Sequence, residues 1–61
     1  MLFIDQKGEP FLIDITSNVQ CVKMIKMCIN NHDEQVLVIF TATQIVLFRN
    51  VCGLVFVLLH S

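Results

Sequence analysis

Two residue types in this chain could carry out chemistry, cysteine and histidine. Cys28 and His32 lie four positions apart, a spacing that brings two side chains together when both belong to one helix. Such a pair could form a nucleophile and its base, or begin a zinc site that Cys52 and His60 would have to complete. Asn30 and Asn31 are expected to end the helix before His32. We therefore predict no catalytic, cofactor or metal site, and no enzymatic activity.

The cysteines also argue against a disulfide scaffold. Cys21, Cys28 and Cys52 are odd in number, and the apolar residues 1–4 meet Asp5 too soon for a secretory signal. Reduced thiols that behave as small apolar side chains are the expected state. The sequence therefore predicts a cytoplasmic protein, with membrane association as the alternative.

Charge and composition narrow the choice of partners. The chain has four basic and five acidic residues, a net charge of −1 and neither Trp nor Tyr, so we expect no nucleic-acid binding. Its 61 residues are 56% hydrophobic, whereas soluble domains average about 45–50%. A single small domain, residues 1–61, has too little interior for this apolar surface, and part of it should face a partner.

The first elements should form a β-hairpin. Leu2–Ile4 and residues 11–13 are short apolar runs, separated by a polar segment that contains Gly8. Gly8 can supply the positive φ that a tight turn needs. Pro10 can begin the second strand but cannot lie inside it.

Residues 17–30 carry the pattern of an amphipathic helix. Ser17 and Gln20 form a capping box at its start. Val22, Ile25 and Ile29 form an apolar stripe, while the lysines share the opposite side. A strand over the same residues is the alternative, but Lys23 interrupts its apolar side. Capping and periodicity together favour the helix.

Three apolar runs follow a polar loop over residues 30–35. Residues 36–40, 45–48 and 54–59 are short and separated by turn residues, which favours buried strands. The predicted fold is α+β, a ββαβββ antiparallel sheet with one amphipathic helix. The alternative is a helix followed by a transmembrane segment over residues 36–59, whose length could span a bilayer although Arg49 would lie deep within it.

One resemblance covers about half of the chain. Residues 19–23, followed by 36–40 and 45–49, resemble the inner strands of a single WD-repeat propeller blade. The Gly-His and Trp-Asp dipeptides and the Asp-Gly turn of that family are missing. A single blade also cannot bury its own faces, so we do not assign the chain to this family.

The predicted function is therefore a small non-enzymatic interaction or oligomerisation module. It would be stabilised by association with itself or with a larger protein. Methionines repack easily against a partner, and the final apolar run exceeds what one helix can cover. The predicted interface consists of Met24, Met27, Val55, Val57 and Leu59. A short membrane-associated accessory protein that inserts residues 36–59 into lipid is the second hypothesis.

Overall fold

The computed structural model describes residues 1–11 and 19–60, and within these ranges all regular structure is β-strand. The five strands form one sheet in the spatial order β1-β5-β4-β3-β2. Their bounds, in chain order from β1 to β5, are Leu2–Ile4, Cys21–Ile29, His32–Phe40, Ile45–Cys52 and Val55–His60. Strands β2 to β5 form an antiparallel meander, and β1 adds to β5 in parallel.

The α+β prediction is wrong, because the segment expected to be a helix contains the nine-residue strand β2. β2 pairs with β3 along its whole length, from Cys21 opposite Phe40 to Ile29 opposite His32. β2 lies at the edge of the sheet, and each of its faces carries one lysine beside apolar side chains. The sequence therefore lacks the apolar–polar alternation of a half-buried strand, and its apolar residues have the spacing of an amphipathic helix. Ser17, the proposed helix cap, lies outside the described residues.

The asparagines that were expected to end a helix instead form the β2–β3 turn. Asn30 and Asn31 have φ values of 51° and 66°, as a two-residue type I′ hairpin turn requires. The flanking residues Ile29 and His32 are paired, so β3 begins directly after the turn. The predicted polar loop over residues 30–35 is therefore also wrong.

The three C-terminal strands are confirmed as consecutive antiparallel strands, with different ends. β4 runs on to Cys52, and Gly53 (φ 53°) and Leu54 make the turn into β5. No helix within the described ranges is long and apolar enough to cross a membrane. The predicted transmembrane helix over residues 36–59 is wrong, since these residues form most of β3 and all of β4, with β5 as far as Leu59.

The hydrophobic core lies on one face of the sheet, which we call the core face. Its buried members come from the three central strands: Leu37, Ile39, Val46, Phe48 and Phe56. Phe3 from β1 packs against this cluster with its ring 4.7 Å from that of Phe48. Phe11 packs on it too, its ring 5.5 Å from Phe48 and edge-on. On the opposite face, Val36 and Val38 are also buried.

The turn that brings Phe11 to the core is held by Asp5 and Gly8. A carboxylate oxygen of Asp5 accepts hydrogen bonds from the N–H groups of Lys7 and Glu9, each at 2.9 Å. Gly8 has the positive φ that the sequence predicted, 87°. The Phe11 N–H then donates to the Phe3 carbonyl at 2.8 Å. The proposed second strand continues into residues 12–13, outside the described residues.

Replacing Gly8 with Val should lower the free energy of unfolding by about 1–3 kcal/mol. No atom lies within 4 Å of the position that a Cβ would take, so the loss comes from the backbone. Chemical denaturation measures it. Gly8→Asn is the matched control, since Asn tolerates this conformation and should lose much less; equal losses for Asn and Val would contradict a strained turn.

Two substitutions in the β2–β3 turn should change the stability of the protein in opposite directions. Asn31→Gly should stabilise the protein, because Asn-Gly is the preferred pair in a type I′ turn. Asn31→Ala should destabilise it by about 1 kcal/mol, because the left-handed backbone conformation is unfavourable for Ala, which has no polar side chain to compensate. Thermal melts of the three proteins give the order, and a more stable Ala variant would show that the turn is misassigned.

Candidate protein-interaction surface

The residues with chemical potential are not brought together in this fold. Cys28 is paired with Asp33, and His32 with Ile29. Because side chains of adjacent residues point to opposite faces of a sheet, Cys28 and His32 lie on different faces. Within the described ranges, no group of three His, Cys, Asp or Glu side chains is placed to hold a metal ion.

All three cysteines are free and exposed, although the sequence suggested that they behave as small apolar residues. Cys21 and Cys28 lie near opposite ends of β2, seven positions apart in extended chain. At about 3.3 Å per residue, their separation far exceeds the 4.4–6.8 Å between the Cα atoms of a disulfide. Neither cysteine can therefore bond to the other within one copy of the chain.

The most conspicuous surface is the outer edge of β2. All of its residues are exposed except Ile29, which is partly buried. On the core-face side, Val22 and Met24 are 53% and 47% exposed. On the opposite face, Ile25 and Met27 are 40% and 39% exposed. Large apolar side chains thus flank the edge on both faces.

The backbone of β2 alternates between bonding to β3 and facing outward. In a type I′ turn the two flanking residues, Ile29 and His32, are hydrogen-bonded to each other. In an antiparallel pair, hydrogen-bonded and non-hydrogen-bonded positions alternate, so Ile25 also bonds to its partner Val36. The N–H and C=O groups of the intervening residues point away from β3: Val22, Met24, Lys26 and Cys28.

The other edge of the sheet is much shorter. β1 contains three residues, Leu2–Ile4, and the chain returns along its outer side. There Phe11 bonds to Phe3, and Ile4 bridges to Pro10. Among the described residues, the long unpaired backbone edge therefore belongs to β2.

The predicted interface residues are distributed over separate parts of the sheet. Met24 lies on the core-face side of β2 and Met27 on the opposite face. Val55, Val57 and Leu59 belong to β5 and are partly buried. Strands β3 and β4 separate β5 from β2, a distance of about 14 Å at normal strand spacing. Met24 and Met27 are exposed, as are their neighbours Val22 and Ile25, which the predicted interface does not include.

The predicted interface omits Val22 and Ile25 because the helix prediction placed both of them on its apolar stripe. The signal that could have found them is the pair Asn30 and Asn31. Two consecutive residues that tolerate positive φ, between two runs of equal length, are typical of a β-hairpin. In such a hairpin, the very apolar strand lies inside the sheet and the more polar strand lies at its edge.

One ion pair lies on the opposite face, between the central strands. Arg49 Nε is 2.9 Å from Glu34 Oε1, and the two side chains are 44% and 22% exposed. Arg49 lies within β4, where it is paired with Val36 of β3 and Val57 of β5. The Nε–H group makes no hydrogen bond within the described residues, so the attraction is Coulombic rather than directional.

A double-mutant cycle should give this ion pair a small coupling energy. For Glu34→Gln and Arg49→Met we expect about 0.2–1 kcal/mol, because a partly exposed pair remains solvated. The coupling, measured by denaturation of the four proteins, should shrink in 1 M NaCl, where the Debye length is about 3 Å. A coupling that salt does not change would contradict a solvated pair.

The opposite face also carries a shallow, open groove of about 530 Å³ at the β3–β4 turn, lined by Thr43, Gln44, Ile45, Leu47 and His60. Thr41 holds this turn, since its hydroxyl accepts the N–H of Gln44 and donates to the Gln44 carbonyl, both at 3.1 Å. The groove collects no set of ionisable groups. The β2 edge is therefore the better candidate for a functional surface.

Comparison with known proteins adds no family to this description. No family model, no curated protein and no solved structure matches the chain. The functional assignment consequently rests on the geometry of the sheet, and above all on its β2 edge.

Proposed function

We propose that this protein is a small, non-enzymatic interaction module that associates through the β2 edge. One observation carries the proposal. β2 is a nine-residue edge strand whose outward backbone groups are flanked on both faces by exposed apolar side chains. Strand addition satisfies those backbone groups, while pockets for alternate side chains give specificity.

Burial of apolar surface is the expected driving force. Val22, Met24, Ile25 and Met27 each expose between 39% and 53% of their surface, one pair on each face of the sheet. This apolar surface flanks the unpaired edge, and exposed surface of this kind marks an interaction site or an aggregation hazard. Association with another copy or with a larger protein would remove it from water.

The two lysines of β2 support controlled association. Charged side chains, lysine above all, are the usual protection of an exposed edge strand. Lys23 lies on the opposite face and Lys26 on the core-face side, so each face carries one charge beside its apolar residues. An incoming strand must accommodate both lysines, which excludes most registers and most partners.

A proline substitution that removes one outward N–H group tests the proposal. Met24→Pro should leave the β2–β3 pairing in place but block strand addition, because proline has no N–H to donate. We expect the wild type to show apparent stability that rises with protein concentration. Met24→Pro should abolish that rise, as measured by light scattering after size exclusion and by thermal melts.

Two control variants separate association from folding. Met24→Leu keeps both the N–H group and an apolar side chain, and should associate like the wild type. Ile25→Pro removes an N–H group that bonds to β3 and should destabilise the sheet itself. A wild-type protein that stays monomeric at every concentration, melts independently of concentration and binds no hydrophobic dye would overturn the proposal.

A further inference from the structure

We infer that the partner of β2 is β2 of a second copy, paired antiparallel about a twofold axis at Ile25. This inference rests on the proposed function and specifies its partner and register. It joins two five-stranded sheets into one continuous sheet. Both core faces then lie on the same side, because the twofold axis is perpendicular to the sheet.

The hydrogen-bonding phase selects the residues that can pair. The outward backbone groups belong to Val22, Met24, Lys26 and Cys28, all at even positions. Two strands that meet at such positions must place an even residue opposite an even residue. With the axis at Ile25, Met24 faces Lys26 of the second copy, and Val22 faces its Cys28, so every outward group finds a partner.

The length of the strand selects the position of the axis. β2 spans Cys21–Ile29, and Ile25 is its central residue. An axis at Ile25 therefore pairs the whole strand, with Cys21 opposite Ile29 of the second copy. Moving the axis by one residue in either direction leaves the ends of both strands unpaired.

Charge selects the same register. With the axis at Ile25, Lys26 lies opposite Met24 of the second copy and Lys23 lies opposite its Met27. Each lysine can then pack its aliphatic stem on a methionine while its ammonium group stays in water. An axis at Lys26 or at Lys23 would place like charges directly opposite, which is unfavourable.

The exposed apolar residues complete the interface. Ile25 meets its own copy at a non-hydrogen-bonded position, where side chains approach most closely. This contact lies on the opposite face and removes the 40% exposed Ile25 from water. On the core-face side, Val22 and Met24 extend the apolar surface across the junction. The strand is thus complementary to itself in backbone, charge and apolar surface.

Cysteine cross-linking tests both partner and register. In a background with Cys21, Cys28 and Cys52 replaced by Ser, Ile25→Cys should form a disulfide-linked dimer under mild oxidation. The Cα atoms of a non-hydrogen-bonded pair are about 4.5 Å apart, within the range of a disulfide. Non-reducing electrophoresis and mass spectrometry measure the dimer.

Matched controls lie two residues away on the same face. Lys23→Cys alone and Met27→Cys alone should remain uncrosslinked, because each would sit about 13 Å from its own copy. The double variant Lys23→Cys with Met27→Cys should crosslink, since these positions face each other. Strong crosslinking of Lys23→Cys alone, or none for Ile25→Cys, would overturn the inference.

The failure of this inference differs from failure of the proposed function. If association is abolished by Met24→Pro but Ile25→Cys does not crosslink, the edge is used in another register or by another partner, and this inference falls alone. If the wild type neither associates nor binds hydrophobic dye, both fall. Addition of Met24→Pro to the Ile25→Cys variant should remove the crosslink, and its persistence would count against strand pairing.

Discussion

The structure depends on burial of both faces of β3. Residues Val36 to Ile39 are all at most 7% exposed, with alternate side chains on the core face and on the opposite face. Such two-sided burial is possible because β3 is paired on both sides, with β2 and β4. Without β2, the backbone groups on one side of this apolar strand would lose their partners. β2 is therefore required for the fold even though its own side chains are exposed.

The edge position of β2 follows from this role. A strand that covers an apolar neighbour by backbone pairing needs no apolar core of its own, and Lys23 and Lys26 can be tolerated there. The same geometry leaves every second peptide group of β2 without a partner within the described residues. The unpaired edge of the sheet therefore belongs to β2, which carries two lysines, and not to the very apolar β3. The pairing that stabilises β3 thus also creates the exposed edge on which the proposed association depends.

The sequence predicts the C-terminal half of the sheet much better than the edge. The apolar runs in β3, β4 and β5 indicate strands without knowledge of their neighbours. Gly8 likewise indicates its turn by residue type alone. β2 could not be recognised in the same way, because an edge strand with two exposed faces has no two-residue periodicity. Its identity is fixed by a nonlocal partner, β3, and by the conformations of Asn30 and Asn31.

The parallel pairing of β1 with β5 has a consequence for the order of folding. Strands β2 to β5 are joined by short turns, so their contacts form between residues close in the chain. Leu2 instead pairs with Val55, a contact whose formation must close a loop of nearly the whole chain and lose the corresponding entropy. Contacts of long sequence separation slow folding. β1 is thus expected to dock last, onto a meander that has already formed, and to detach first when the protein opens.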